Sequence, residues 1–157
     1  MDITIQKVTE ENREEAIKLS GKDSQRDLVP SVAESLSKIS EKPDGENVTY
    51  LPFAIYEGDT MVGFIMHAYE EETTNMYWIN GFIIDQQFQG KGYGKAALTK
   101  MIHWIRDNFD HCSEIRLSVS KENESAYELY KNFGFVETGE TVGKEDVLFL
   151  SVQTASD

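Results

Sequence analysis

Glycine occupies alternate positions, Gly90, Gly92 and Gly94, between an apolar run and an amphipathic one, an order of segments that leaves few folds open. Upstream, Met76 to Ile84 reads as a strand that stops at Asp85. Downstream, Leu98, Met101, Ile102 and Ile105 recur at i, i+3, i+4 and i+7, the spacing of one helix face. Glycines let backbone N–H groups approach a ligand with no Cβ in the way. A helix start adds unpaired donors and the positive end of the helix dipole. Strand, glycine loop and helix therefore suit a phosphate or pyrophosphate.

Two familiar phosphate loops do not fit. A Walker loop requires Gly-Lys-Ser/Thr, but Gly94-Lys95 is followed by Ala96, and the earlier glycine position holds Gln89. A dinucleotide fingerprint requires G-x-G-x-x-G, whereas this loop is G-x-G-x-G with no regular βαβ alternation around it.

Charge points the same way. The chain carries 28 acidic against 15 basic residues, a net charge of −13, which argues against nucleic acid or an anionic membrane as partner. Gln86 to Arg106, however, holds Lys91, Lys95, Lys100 and Arg106 and no acidic residue. A basic island around the loop suits a polyanionic cofactor. The acidic remainder suits a small cationic substrate, or serves solubility alone. The lone Cys112 has no internal partner, which favours a reducing compartment. The opening Met1-Asp2-Ile3-Thr4 has no basic or apolar leader, and no apolar run reaches membrane-spanning length, so a soluble, cytoplasmic protein is expected.

In chain order, Ile3 and Ile5 alternate as a strand, and Thr9 is expected to cap a helix containing Ala16, Ile17 and Leu19. Ser31 is expected to cap a second helix through Val32, Leu36 and Ile39. Leu51–Tyr56 and Met61–Tyr69 read as a hairpin about Glu57-Gly58-Asp59-Thr60. Ile115, Leu117 and Val119 alternate as a strand. Asn123 then opens a helix with Ala126, Leu129, Tyr130 and Phe133 on one face, closed by Gly134. Phe135 to Thr138 and Val147 to Val152 complete a mixed α/β pattern.

Gln89-Gly90-Lys91-Gly92-Tyr93-Gly94 resembles the Gln/Arg-x-x-Gly-x-Gly/Ala loop of the GNAT-type N-acetyltransferases. A second register, Gln87 to Gly92, also fits and leaves the outermost phosphate contacts open. About thirty residues on, Asn123 to Phe135 resembles the family's Asn-x-x-Ala-x-x-Leu-Tyr-x-x-x-Gly-Phe at every fixed position. The resemblance spans roughly Tyr50 to Leu150. It implies a GNAT-type α/β fold: a mostly antiparallel sheet of about six to seven strands, splayed after the fourth, flanked by about four helices. One domain would cover residues 1–157, with acceptor-side helices at about 10–42 and an acetyl-CoA-binding core at about 76–135.

The resemblance also implies roles. The loop from Gln89 through Gly90, Lys91, Gly92, Tyr93 and Gly94 to Lys95 would hold the pyrophosphate of acetyl-CoA. The pantetheine would add along Phe82, Ile83 and Ile84 as a peptide strand would. Backbone N–H near Ile84 would stabilise the oxyanion. Asn123 is a helix cap by spacing, and a CoA contact by resemblance. Tyr130 is a core tyrosine by spacing; the resemblance makes it the acid that protonates the departing thiolate.

Acetyl would then pass by direct attack to an amine, which must first lose its proton. Spacing names no base; Asp27, Glu34 and Glu70 to Glu72 are the acceptor-side carboxylates considered. His67, His103 and His111 lack metal-ligand spacing, and no metal is expected. Asn80 to Ala97, with Phe53 to Tyr56 and Met61 to Phe64, is similar to bacterial spermine/spermidine (diamine) acetyltransferases, which implies a polyamine acceptor. An aminoglycoside, an amino acid or a protein amine are the rival acceptors, and a non-catalytic acyl-CoA sensor is the rival class. Family members are often dimers, so the resemblance allows a homodimer.

Overall fold

A computed structural model describes residues 1–26 and 28–152. In chain order it contains β1 (Ile3–Lys7), α1 (Arg13–Ile17), a 3-10 turn (Asp23–Gln25), α2 (Val32–Glu41), β2 (Val48–Glu57), β3 (Thr60–Glu70) and β4 (Tyr77–Ile84). A second 3-10 turn (Gln86–Phe88) precedes α3 (Tyr93–Asn108), β5 (Glu114–Val119), α4 (Glu124–Phe133), β6 (Val136–Val142) and β7 (Glu145–Ser151). The strands form one sheet in the order β1-β2-β3-β4-β5-β7-β6. All neighbours are antiparallel except β4 and β5.

Alternation along β2 explains the three layers. Phe53 and Ile55 point into a core shared with Leu98, Met101, Ile102 and Ile105 of α3 and Tyr130 of α4. Val48, Tyr50 and Ala54 point to the opposite core, under Ala16 of α1 and Val32 and Leu36 of α2. Period-2 burial on both faces is what a sheet between two helical layers requires.

Two bulges bend the centre of this sheet. Ile55 faces Gly63 while Tyr56 faces Met61, so Val62 is the extra residue in β3. Phe64 faces Ile83 while Met66 faces Asn80, so β4 fits Gly81 and Phe82 opposite Ile65 alone. Gly81 has φ +59°, and a Cβ there would lie 2.4 Å from Ser35 Oγ. A glycine in left-handed conformation is the usual first residue of such a bulge, which turns the strand and re-aims the side chains beyond it.

The splay follows directly. β4 and β5 run parallel but share a single facing pair, Trp78 and Arg116, near the start of each strand. Beyond it the strands part, and Asn80 to Ile84 runs along an open gap.

One local expectation changes. The first helix begins at Arg13 rather than directly after Thr9: residues 10–12 form a turn in which Thr9 Oγ1 accepts from Glu11 N–H (3.3 Å) and Thr9 N–H donates to Asn12 Oδ1 (2.8 Å). At α2 the expected cap is present: Ser31 Oγ accepts from Glu34 N–H, and Glu34 returns its carboxylate to Ser31 N–H.

Candidate active site

The open edge of β4 forms one wall. Asp85 N–H donates to Val62 C=O at 2.8 Å, which makes the facing pair Gly63–Ile84 a non-hydrogen-bonded one. Ile84 therefore turns its own N–H and C=O away from β3, into the gap. Gln89 Nε2 takes the carbonyl at 2.8 Å. The N–H is left aimed at the opening, the orientation an oxyanion donor needs. Asp85 fixes this end of the strand: it is buried, and its carboxylate accepts from Ser20 N–H (2.9 Å) and Gln87 N–H (3.2 Å). Sequence reasoning saw only that a strand ends here.

The glycine loop forms the second wall. Gly92, at φ +83°, is the N-cap of α3, with no side-chain capping bond and no acidic residue in the first turn. Among the described residues, the first N–H groups of α3 thus lack a side-chain cap at the positive end of a 16-residue helix. Lys91 and Lys95 are exposed beside them. Uncapped donors, neighbouring cations and an absence of carboxylates in that turn fit a pyrophosphate. Gln89 does not offer its side chain: Nε2 is shared between Ile84 C=O and Gln25 Oε1 (3.0 Å). Gln25 also donates to Ser125 Oγ of α4 (3.2 Å), a polar strap from the loop to the facing helix.

The third wall is α4. Asn123 stands at its N-cap position, yet its side chain makes no capping bond and is buried facing the gap. Tyr130, two turns on, is 6 % exposed, with its ring 6.4 Å from that of Phe82 and 5.9 Å from that of Phe135. Burial raises its hydroxyl pKa, and the Glu145 carboxylate adds to the effect. The phenol therefore keeps its proton at neutral pH and is available as a donor. Tyr127 instead anchors the helix, its single hydroxyl proton shared between Glu137 Oε1 (2.5 Å) and Asp146 Oδ2 (3.0 Å).

These walls enclose a cavity of ≈ 340 Å³. Phe82, Ile83 and Ile84 line it from β4, and Gln89, Gly90, Gly92, Tyr93 and Gly94 from the loop and α3. Asn123 and Tyr130 complete it from α4. Lys91 and Lys95 are not among its lining residues.

The acceptor-side carboxylates fare differently. Asp27 lies outside the described residues. Glu34 is committed to its capping box, which holds its carboxyl below the usual range, and Glu70 to Glu72 sit around the β3–β4 turn. Neither Glu34 nor Glu70 to Glu72 lines the cavity. His67 is fully buried among aromatic rings, and burial pushes the Cys112 thiol up to about 12. Among the described residues, no group of three or more His, Cys, Asp or Glu is arranged to hold a metal, and no helix is long and apolar enough to cross a membrane.

Comparison with known proteins gives a family model described as "Acetyltransferase (GNAT) family", which matches residues 9–135. The spermine/spermidine N(1)-acetyltransferase of Bacillus subtilis is 32% identical over 145 residues, covering 89% of this chain and 91% of that one. The aminoglycoside N(6')-acetyltransferase type 1 of Stenotrophomonas maltophilia is 29% identical over 122 residues, covering 73% and 77%. Among solved structures, spermidine N-acetyltransferase from Vibrio cholerae, in complex with CoA and spermine, superposes with a TM-score of 0.73 at 19% identity, covering 96% of this chain and 95% of that one.

Proposed function

This chain belongs to the GNAT acetyltransferase family, and on that premise we propose that it moves the acetyl group of acetyl-CoA to a primary amine of a polyamine such as spermine or spermidine. The observation that carries the substrate class is the 32% identity with the B. subtilis spermine/spermidine enzyme, sustained over 89% of the chain. The acidic composition supports it, since a polycation is drawn to a protein of net charge −13.

In this reading acetyl-CoA supplies an acyl group activated as a thioester. Backbone N–H groups from Gln89 to Lys95 hold the pyrophosphate, and the open edge of Phe82, Ile83 and Ile84 aligns the pantetheine arm. Ile84 N–H stabilises the negative charge that develops on the carbonyl oxygen. Tyr130 Oη gives its proton to the departing thiolate, a role supported by its position across the gap from β4. Asn123 contacts the CoA arm with a side chain that makes no capping bond.

A second acceptor has its own support: the 29% identity with the S. maltophilia aminoglycoside enzyme. A thiol-release assay with acetyl-CoA separates the two. The panel is spermine, spermidine, putrescine, an aminoglycoside, free amino acids and a lysine peptide. Release with spermine or spermidine alone is the expected result. Release with the aminoglycoside alone keeps the enzyme and discards the polyamine. Silence across the panel, with acetyl-CoA bound, would instead favour an acyl-CoA sensor.

A further inference from the structure

A second, smaller cavity of ≈ 110 Å³ opens on the far side of Tyr130 from the glycine loop. Asn80 and Phe82 line it from β4, Ser118 from β5, Glu145 from β7 and Lys38 from α2, with Tyr130 as a wall common to both cavities. It is the splay of β4 from β5 seen from the other end. β7 pairs antiparallel with β5, with Val119 facing Asp146 and Ser118 facing Val147, and this register carries Glu145 past the end of β5 into the gap.

Glu145 is half-buried there. Its Oε1 accepts from Ser118 Oγ at 3.3 Å, and Oε2 has no hydrogen-bond partner among the described residues. A carboxylate removed from bulk water gains most from a cation that can satisfy its spare lone pairs. An alkylammonium group brings three donors and no acceptor. Of the carboxylates considered from sequence and described here, Glu34 and Glu70 to Glu72 are absent from this cavity as well.

We propose that Glu145 receives an ammonium group of the acceptor in this smaller cavity and thereby selects cationic amines, an inference that rests on the amine-acetyltransferase reading above. Acetyl-CoA and acceptor then enter from opposite ends of the splay and meet at Tyr130. Among the described residues, Lys38 is the one cation lining the cavity. Its charge is also felt by Glu34, one turn earlier on α2, and it opposes a bound ammonium. Glu145 and Lys38 therefore act on acceptor affinity with opposite signs.

Steady-state kinetics with acetyl-CoA and spermidine on the full chain test this. Glu145→Gln keeps the shape and the acceptor for Ser118 Oγ but removes the charge. It should raise the spermidine KM at least ~tenfold, as expected for a lost hydrogen bond to a charged group, with the acetyl-CoA KM within about twofold. Lys38→Met should lower the spermidine KM. An unchanged spermidine KM in Glu145→Gln overturns the inference. Should that variant also lose acetyl-CoA affinity, Lys38→Met decides, and a spermidine KM that does not fall overturns the inference. Wild-type protein inactive on every polyamine would refute the substrate reading instead. The same two variants, run with the aminoglycoside it then acetylates, would still decide the role of Glu145.

Discussion

Acidification should unfold this protein partly through one histidine. His67 of β3 is fully buried, stacked against Tyr69 and Tyr77 and flanked by Trp104 and Phe109. Its Nδ1 lies 2.9 Å from Trp78 C=O, an acceptor, so Nδ1 carries the proton of the neutral ring. Nε2 has no hydrogen-bond partner among the described residues, and burial holds the imidazole pKa down at about 4. An unfolded histidine titrates near ~6.5. Above that value both states are neutral and stability does not depend on this group. As pH falls from there, the unfolded chain binds a proton that the folded chain refuses, so stability is lost down to about pH 4. At ~1.4 kcal/mol per unit, the loss is about 3 kcal/mol by pH 4. His67→Phe keeps a ring in the aromatic cluster and removes the titration. Urea unfolding of both proteins at several pH values gives the result by difference, which cancels the carboxylates common to the two. Relative to the variant, wild type should lose roughly 1–3 M in urea midpoint between pH 7 and pH 4, for slopes of about 1–3 kcal/mol/M. A flat difference would refute the reasoning and mean that the surrounding π faces stabilise imidazolium as well as water does.

The site makes further predictions. Gly81→Ala puts a side chain on a residue at φ +59° whose Cβ would meet Ser35 Oγ at 2.4 Å. The left-handed conformation alone costs ~1–2 kcal/mol, so calorimetry should find Tm lower by roughly 2–8 °C, and an unchanged Tm would mean the bulge does not depend on glycine. Gly92→Ala, at φ +83°, disturbs the N-cap of α3 and should raise the acetyl-CoA KM by roughly 5–30-fold while the acceptor KM stays put; equal effects on both would contradict the assignment of this loop to the cofactor. Gln25→Ala cuts the strap between Gln89 and Ser125, and hydrogen exchange at Gly90 and Gly92 should accelerate selectively; unchanged protection would show the strap to be passive.

Legibility followed the range of the interactions involved. The glycine loop and α3 could be read because their signals are local: a 3.6-residue apolar period and glycine punctuation. The family resemblance supplied the splay, whose cause is a bulge at Gly81 that hydropathy does not register. Capping was harder. Ser31 and Glu34 form the reciprocal box that their spacing suggests, whereas Thr9 Oγ1 accepts from Glu11 N–H in a turn that precedes α1, so its bond closes the turn and the helix starts at Arg13. Asn123 occupies a cap position without capping, and Gln89 turns its side chain inward to Ile84 and Gln25, outcomes set by residues distant in sequence. Glu145 could not be found from spacing at all. Its proximity to Tyr130 is produced by the pairing of β7 with β5, and nothing in its immediate neighbours distinguishes it from the chain's many surface carboxylates.

Tyr130→Phe tests the chemistry most directly, with turnover and acetyl-CoA affinity measured on the same preparation. Removal of a general acid should lower kcat by about 10²–10⁴-fold. The ring contacts with Phe82 and Phe135 are kept, so acetyl-CoA Kd should stay at the wild-type value. A variant that turns over as fast as wild type would contradict the assignment of the proton to this hydroxyl.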